Sequence, residues 1–291
     1  MLIGLIGANI QGSMSPALFA DAFSAAAIDG YYHLLDVDRL PERRLSRLLD
    51  AIKVAGFAGA NVTYPFKQEI IPLLDAVDPE AVQVGAVNTV VIAPDGRTRG
   101  YNFDRRGWYN SFVEVIGRDG AEGKTVMQVG AGGAGRAVAF ALMDLGVAVV
   151  IIHDLNVGRA AALKSDLSLY YDPSRCRLAD NLERDIAGAH GVVNTTPVGM
   201  SGFPGCPVPA AALKATHWAA DVIYTPMQTA FLEAASAAGA RMLNGGGMCV
   251  HQAVEAFRCL TGVRPDLARL HHAFATAAAV RDASMVAATG A

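Results

Sequence analysis

The stretch VMQVGAGGAGRAVAFAL, residues 126–142, constrains the fold more than any other part of the chain. An apolar strand runs straight into G-x-G-x-x-G at Gly130, Gly132 and Gly135, where an alanine-rich helix begins. Glycine allows the sharp turn and lets the backbone approach a pyrophosphate, whose charge the free amides of a helix N-terminus stabilise. The alternative is a glycine-rich turn used only for close helix packing. The strand before it and the helix after it favour a dinucleotide, cradled by Gly130, Ala131, Gly132, Gly133, Ala134 and Gly135.

The next strand, VAVVIIHD, ends in Asp154, where this fingerprint expects an acid that accepts hydrogen bonds from the adenosine ribose hydroxyls. A 2′-phosphate carries about −1.5 to −2 charge, and like charges about 4 Å apart repel by roughly 4 kcal/mol at an effective dielectric near 20. Asp154 therefore points to NAD ahead of NADP. Its bland alternative is an N-cap for the helix that starts near Asn156. Arg159 can meet a phosphate if its side chain folds back, which leaves dual use open.

Short β-rich runs alternate with amphipathic segments from LIGLIGA through FAGANVT, an order that predicts parallel sheets covered by helices. Near residue 90 the pattern changes to two extended runs around Asp95-Gly96, which reads as a hairpin. A helix is expected from about Arg105 to Ile116, and a second βαβ series starts at KTVMQV. The fold class is α/β with two domains. Residues 1–103 and 244–291 form an N-terminal α/β substrate domain, and residues 104–243 form a doubly wound Rossmann domain, with the active site expected in the cleft between them. In the last segment Val250, Val254 and Phe257 are spaced for one apolar helix face.

The net charge of −3 is small and the basic residues are scattered, which argues against nucleic acid or an anionic membrane as partner. Cys176, Cys206, Cys249 and Cys259 show neither metal-ligand spacing nor a disulfide framework, so no metal is expected. The opening MLIGLIGANI lacks a basic leader and no later run is long enough to cross a bilayer, so the expectation is a cytoplasmic protein acting on a small molecule. A monomer or homodimer is expected from the commonest symmetries alone.

Polar sets mark strand ends in the first 104 residues. GSMSPALF offers Ser13 and Ser15, whose hydroxyls can both donate to one carboxylate or serve as a simple cap. GANVTYPFKQ supplies Asn61, Thr63 and Lys67 across an expected strand-to-helix turn, with Pro65 near the first helical position. A lysine there opposes the helix dipole, a misfit that points to function. GAVNTVV adds Asn88, and GYNFDRRG adds Asn102 and Asp104, any of which can be an ordinary turn former. Arg105 and Arg106 are expected to face solvent or adjust local charge rather than to form a salt bridge.

Taken in order, S-x-S-P, N-V-T-x-P-x-K, G-A-V-N-T, G-x-N-x-D-x-x-G, G-A-G-G-A and Q-A-x-x-A-F resemble the shikimate and quinate dehydrogenase family over nearly the whole chain. VMQVGAGGAG with HDLNVGRA looks most like its NAD-using branch. The resemblance implies reversible oxidation of the 3-hydroxyl of a ring hydroxy acid, shikimate or quinate, in shikimate and quinate metabolism. It also implies that Ser13 and Ser15 hold the substrate carboxylate, that Thr63, Asn88 and Gln252 bind ring hydroxyls or the carboxylate, and that Tyr224 lines the substrate site. Lys67 and Asp104 would face the hydroxyl being oxidised, with the base among them left open. Thr195, Met200, Gly245 and Met248 would lie near the nicotinamide.

Two departures bear on these implications. Phe19-Ala20 replace the family's histidine-asparagine pair, and Phe103 replaces the threonine usually found before the catalytic aspartate. The second removes a hydroxyl beside the substrate, so an aminated analogue of shikimate stays open as substrate. A non-catalytic sensor of NAD and a ring acid is the competing reading from another class, against which the Lys67 and Asp104 pair counts. A dehydrogenase for a one-carbon folate carrier is a third, disfavoured by the serine pair.

Overall fold

The computed structural model describes residues 1–41 and 43–289. The chain divides into two compact units, one formed by Met1–Phe103 with the segment from Cys249 onward, the other by Asp104–Met248.

The first unit opens with β1 (Leu2–Gly7), α1 (Ser15–Ala25), β2 (Tyr31–Asp36), α2 (Leu45–Val54) and β3 (Gly59–Val62). It continues with β4 (Ala76–Val77), α3 (Pro79–Val84), β5 (Thr89–Ile92) and β6 (Thr98–Tyr101). Its sheet runs β2-β1-β3-β5-β6-β4, with β5 antiparallel to both neighbours. The hairpin between β5 and β6 is closed by the Gly96 amide on the Ala93 carbonyl and the Ala93 amide on the Arg97 carbonyl. Pro94 and Asp95 occupy the tight turn and Gly96 takes the left-handed conformation at φ +81°, the arrangement of a three-residue hairpin loop.

The helices follow their apolar spacing. Leu45, Leu48, Leu49 and Ile52 give α2 one buried stripe against the sheet. Val250, Val254 and Phe257 are buried on one face of α9 (Gly246–Thr261). Phe257 meets Phe19 and Phe23 at ring distances of 5.6 and 5.3 Å, and Phe19 also packs on Tyr32 at 4.4 Å. Phe19 thus belongs to the core. The last helix, α10 (Leu267–Thr289), packs on α1.

The second unit begins with α4 (Asp104–Val115), β7 (Thr125–Val129), α5 (Gly133–Asp144), β8 (Val149–His153), α6 (Val157–Leu167) and β9 (Cys176–Leu178). It is completed by α7 (Leu182–Gly188), β10 (Gly191–Asn194), β11 (Trp218–Asp221), α8 (Ala230–Ala237) and β12 (Arg241–Leu243). All its strands are parallel in the order β12-β11-β10-β7-β8-β9, the doubly wound arrangement. The strand order reverses between β7 and β10, the point at which such sheets bind ligands.

The return crossing expected near residue 244 falls between Met248 and Cys249, inside α9. The start of that helix is held in the second unit. The Gly245 amide donates to the Ile223 carbonyl at 3.0 Å, and a Cβ on Gly247 would lie 2.2 Å from the Ser111 Oγ.

Candidate active site

In the first unit, the ends of β1, β3 and β6 and the start of the antiparallel β5 share one side of the sheet. The segments that follow are tied together there. Thr63 donates its amide to the Ile6 carbonyl, Ala8 to that of Tyr64, and Val87 to that of Lys67 at 2.7 Å. Thr63, Lys67 and Asn88 therefore sit on segments joined in one strand-end cluster.

The helix expected after Thr63 does not form. Residues 64–70 make successive tight turns, followed by a single 3-10 turn at Ile71–Leu73. The Lys67 carbonyl accepts from Val87 rather than from a residue one helical turn on, and Pro72 has no amide to extend a helix. The argument from the helix dipole therefore does not apply to Lys67, a partly exposed side chain.

Asparagines in this cluster differ in what they are used for. Asn61 is buried, with its side-chain oxygen accepting from the Tyr32 hydroxyl and its amide donating to the Thr89 hydroxyl and the Asn88 carbonyl. Asn102 donates to the Ala86 carbonyl at 3.0 Å. Asn88 accepts through Oδ1 from the Thr89 hydroxyl and from the Phe103 amide, both at 3.0 Å. That last bond fixes the backbone immediately before Asp104, while the Phe103 ring stacks on Tyr101 at 5.9 Å.

Ser13 accepts the Ser15 amide on its Oγ at 3.2 Å, a cap-like contact at the start of α1, and Ser15 is buried. Gln252 sits in α9 with its amide on the Cys249 carbonyl. Asp104 opens α4 in the second unit, where the positive end of the helix dipole favours a carboxylate, and it is buried.

The glycine-rich turn lies at the switch point between β7 and β10. A Cβ on Gly135 would come within 2.4 Å of the Gly130 carbonyl oxygen, and one on Gly130, at φ +105°, would meet Thr195. Gly132 differs: a Cβ there would meet nothing within 4 Å, so its side faces open space. Neighbouring helices are capped by side chains, α6 by Asn156, α7 by Asn181 and α8 by Thr229. α5 has Gly132 at that position and no side-chain cap, leaving its first amides to an outside acceptor. An open approach and uncapped amides together fit a pyrophosphate.

Asp154 accepts the Ala131 amide on Oδ2 at 2.7 Å and the Asn156 amide on Oδ1 at 2.8 Å. It is not the cap of α6, since the Asn156 side chain takes the Arg159 amide. The carboxylate thus braces the glycine turn, and its remaining lone pairs can accept from ribose hydroxyls. Arg159 is exposed on the first turn of α6.

Thr195 follows β10 and donates its hydroxyl to the Val129 and Gly130 carbonyls, each at 2.9 Å. Met200 lies in the turn beyond it, Tyr224 in the segment after β11, and Met248 is buried in the first turn of α9.

The model of the shikimate dehydrogenase substrate binding domain matches residues 5–90. A quinate/shikimate dehydrogenase (NAD(+)) of Corynebacterium efficiens is 43% identical over 278 residues, covering 94% of this chain and 97% of that protein. A shikimate dehydrogenase (NADP(+)) of Streptomyces avermitilis is 43% identical over 274 residues, covering 92% and 93%. The chain belongs to the shikimate and quinate dehydrogenase family. Its structure superposes on quinate dehydrogenase from Corynebacterium glutamicum in complex with NAD with a TM-score of 0.85 at 40% identity, covering 95% of this chain and 99% of that one.

Two features of this family member were not foreseen from the sequence. Arg105 does not face solvent. Its guanidinium makes a two-pronged ion pair with Asp144 at 2.6 and 2.7 Å, donates to the Tyr171 hydroxyl and lies over the Phe140 ring at 5.2 Å. Burial and the Asp144 charge push the Tyr171 hydroxyl up to about 12. Arg106 is exposed, as expected. The second feature is Asp221, a carboxylate buried at the end of β11. Among the described residues no helix is long and apolar enough to cross a membrane.

Proposed function

We propose that the protein is an NAD-dependent dehydrogenase that reversibly oxidises the 3-hydroxyl of shikimate, quinate or both, in the cytoplasm. The observation that carries this reading is the strand-end cluster in which Thr63, Lys67 and Asn88 converge and Asn88 fixes the amide of Phe103, directly before Asp104. Similarity over nearly the full length to quinate/shikimate dehydrogenases supports the same activity.

Oxidising a secondary alcohol removes a hydride from carbon and a proton from oxygen. NAD, when bound, supplies the hydride acceptor; the amides at the start of α5 would hold its pyrophosphate and Asp154 its adenosine ribose. Lys67 and Asp104 hydrogen-bond the reacting hydroxyl and carry its proton. Ser13 and Ser15 hold the ring carboxylate, while Thr63, Asn88, Tyr224 and Gln252 orient the ring. The Asp154 carboxylate repels a 2′-phosphate and so favours NAD.

Phe103 supports a narrower choice among ring acids. Its ring stacks on Tyr101 and offers no hydrogen bond, so a substrate that needs a hydroxyl partner at this point is disfavoured. The test is a panel of shikimate, quinate and their aminated analogues with NAD and NADP, applied to wild type, Lys67→Ala and Asp104→Asn. The expected result is turnover with NAD and losses in kcat of about 10² to 10⁴ in both variants. Wild-type rates in both variants would remove the assigned roles, and a higher kcat/KM with NADP would overturn the reading of Asp154.

A further inference from the structure

Asp221 is a buried carboxylate that the proton transfer does not use. Three donors converge on it. Oδ1 accepts from the Asn194 side-chain amide at 3.1 Å and from the Ile223 backbone at 3.0 Å, and Oδ2 accepts from the Thr229 hydroxyl at 2.7 Å. Each donor belongs to a different segment: Asn194 ends β10, Ile223 lies in the loop after β11, and Thr229 caps α8.

The network extends outward from these partners. Asn194 also donates to the Val198 carbonyl at 3.1 Å, and its Oδ1 accepts both the amide and the hydroxyl of Thr196, at 3.0 and 2.7 Å. The Thr196 Oγ in turn accepts the Val198 amide at 3.1 Å. On the other side, the Ile223 carbonyl accepts the Gly245 amide, and the Ser201 amide donates to the Thr225 carbonyl. Gly245 has no room for a side chain, since a Cβ there would lie 2.2 Å from the Val222 carbonyl oxygen. Thr195, Met200, Tyr224 and Gly245 are thus carried on backbone that one carboxylate ties together.

We propose that Asp221 is the positioning residue for the nicotinamide end of the cofactor site, setting the loops after β10 and β11 and the turn before α9 as one unit. This rests on the NAD-dehydrogenase reading above. A carboxylate suits the task because it only accepts, so it satisfies three donors without presenting one of its own. Burial pushes its carboxyl up to about 6, so holding it charged at neutral pH costs stability. An apolar plug would fill the space without that cost but would leave three buried donors unpaired.

The glycine turn is also braced by groups outside this network, Gln128 and Asp154. The two ends of the cofactor can therefore be separated by comparing NAD with ADP-ribose, which lacks the nicotinamide. Dissociation constants for both are measured calorimetrically on wild type and Asp221→Asn, with a melting curve for each protein. Asparagine keeps the shape but turns one acceptor into a donor facing donors. The expected result is NAD binding weakened about tenfold, with ADP-ribose changed by less than about twofold. Equal weakening of both ligands, or unchanged NAD binding, overturns the proposal.

If Asp221→Asn shows no cooperative melting, Thr196→Val reads the same comparison from the outer part of the network, and an equal change in both ligands again overturns it. Failure of the functional reading looks different: a wild type that binds NAD and oxidises no ring acid would sink that reading and leave the binding comparison intact.

Discussion

The glycine turn after β7 and the loop after β11 stand at the same edge of one parallel sheet, and they are held in opposite ways. In the turn, donors reach up to backbone carbonyls: the Gln128 amide bonds those of Gly130 and Gly135, and the Thr195 hydroxyl bonds those of Val129 and Gly130. In the loop, a single acceptor collects donors from three segments. The glycines of the turn and its Gln128 brace lie within eight residues of sequence, 128–135, with Thr195 and Asp154 reaching in from the neighbouring strand ends. The loop is a nonlocal device, with Asn194 and Asp221 27 positions apart. The difference separates a glycine turn held mainly by donors to its carbonyls from a set of loops gathered on one acceptor.

The comparison can be broken most sharply at Gly135. Its substitution by alanine places a Cβ 2.4 Å from the Gly130 carbonyl oxygen, where backbone must shift. Chemical denaturation of Gly135→Ala should show a loss of about 3 kcal/mol, the upper end of overpacking costs, with NAD and ADP-ribose binding both lost. Retained binding of either ligand would show that the turn is not sterically set.

The next effect depends on pH. The Asp221 carboxyl is raised from 3.8 to about 6 by burial, outweighing its three hydrogen bonds. The folded protein therefore holds a proton between these values that the unfolded chain releases, and stability falls as pH rises through that window. Relative to Asp221→Asn, wild type should lose up to about 3 kcal/mol between about pH 4 and pH 6. A pH-independent difference between the two, followed by urea unfolding, would mean that the three donors fully compensate the burial.

The smallest effect is expected at Gln128→Leu. Two hydrogen bonds to the turn are lost, but the buried Oε1 already has no hydrogen-bond partner among the described residues, so its removal offsets part of the cost. A destabilisation of about 1 to 2 kcal/mol should appear in the melting transition, with NAD and ADP-ribose weakened equally. Selective weakening of NAD would erase the distinction between the two regions.

Several features of the fold and site were legible because they rest on neighbours in sequence. The glycine spacing, the acid at the end of β8, the hairpin at Asp95-Gly96 and the buried stripe of α9 all express local geometry. Lys67 shows the limit of that reasoning. The proline at 65 suggested a helix start, yet the Lys67 carbonyl is claimed by Val87, a residue 20 positions away. Arg105 shows the same limit, since Asp144 lies at the far end of α5, 39 positions on, and only the packing of α4 against α5 brings them together.

The sequence by itself determined the two α/β units and the dinucleotide turn, because periodicity and glycine placement are local constraints on the backbone. Tertiary structure alone decided which polar groups are consumed internally. It locked Asn61 into the sheet, turned Arg105 inward, and gathered Asn194, Ile223 and Thr229 around Asp221. Hydrogen bonds between distant segments depend on how strands align, and a buried acceptor takes whichever donors that alignment delivers.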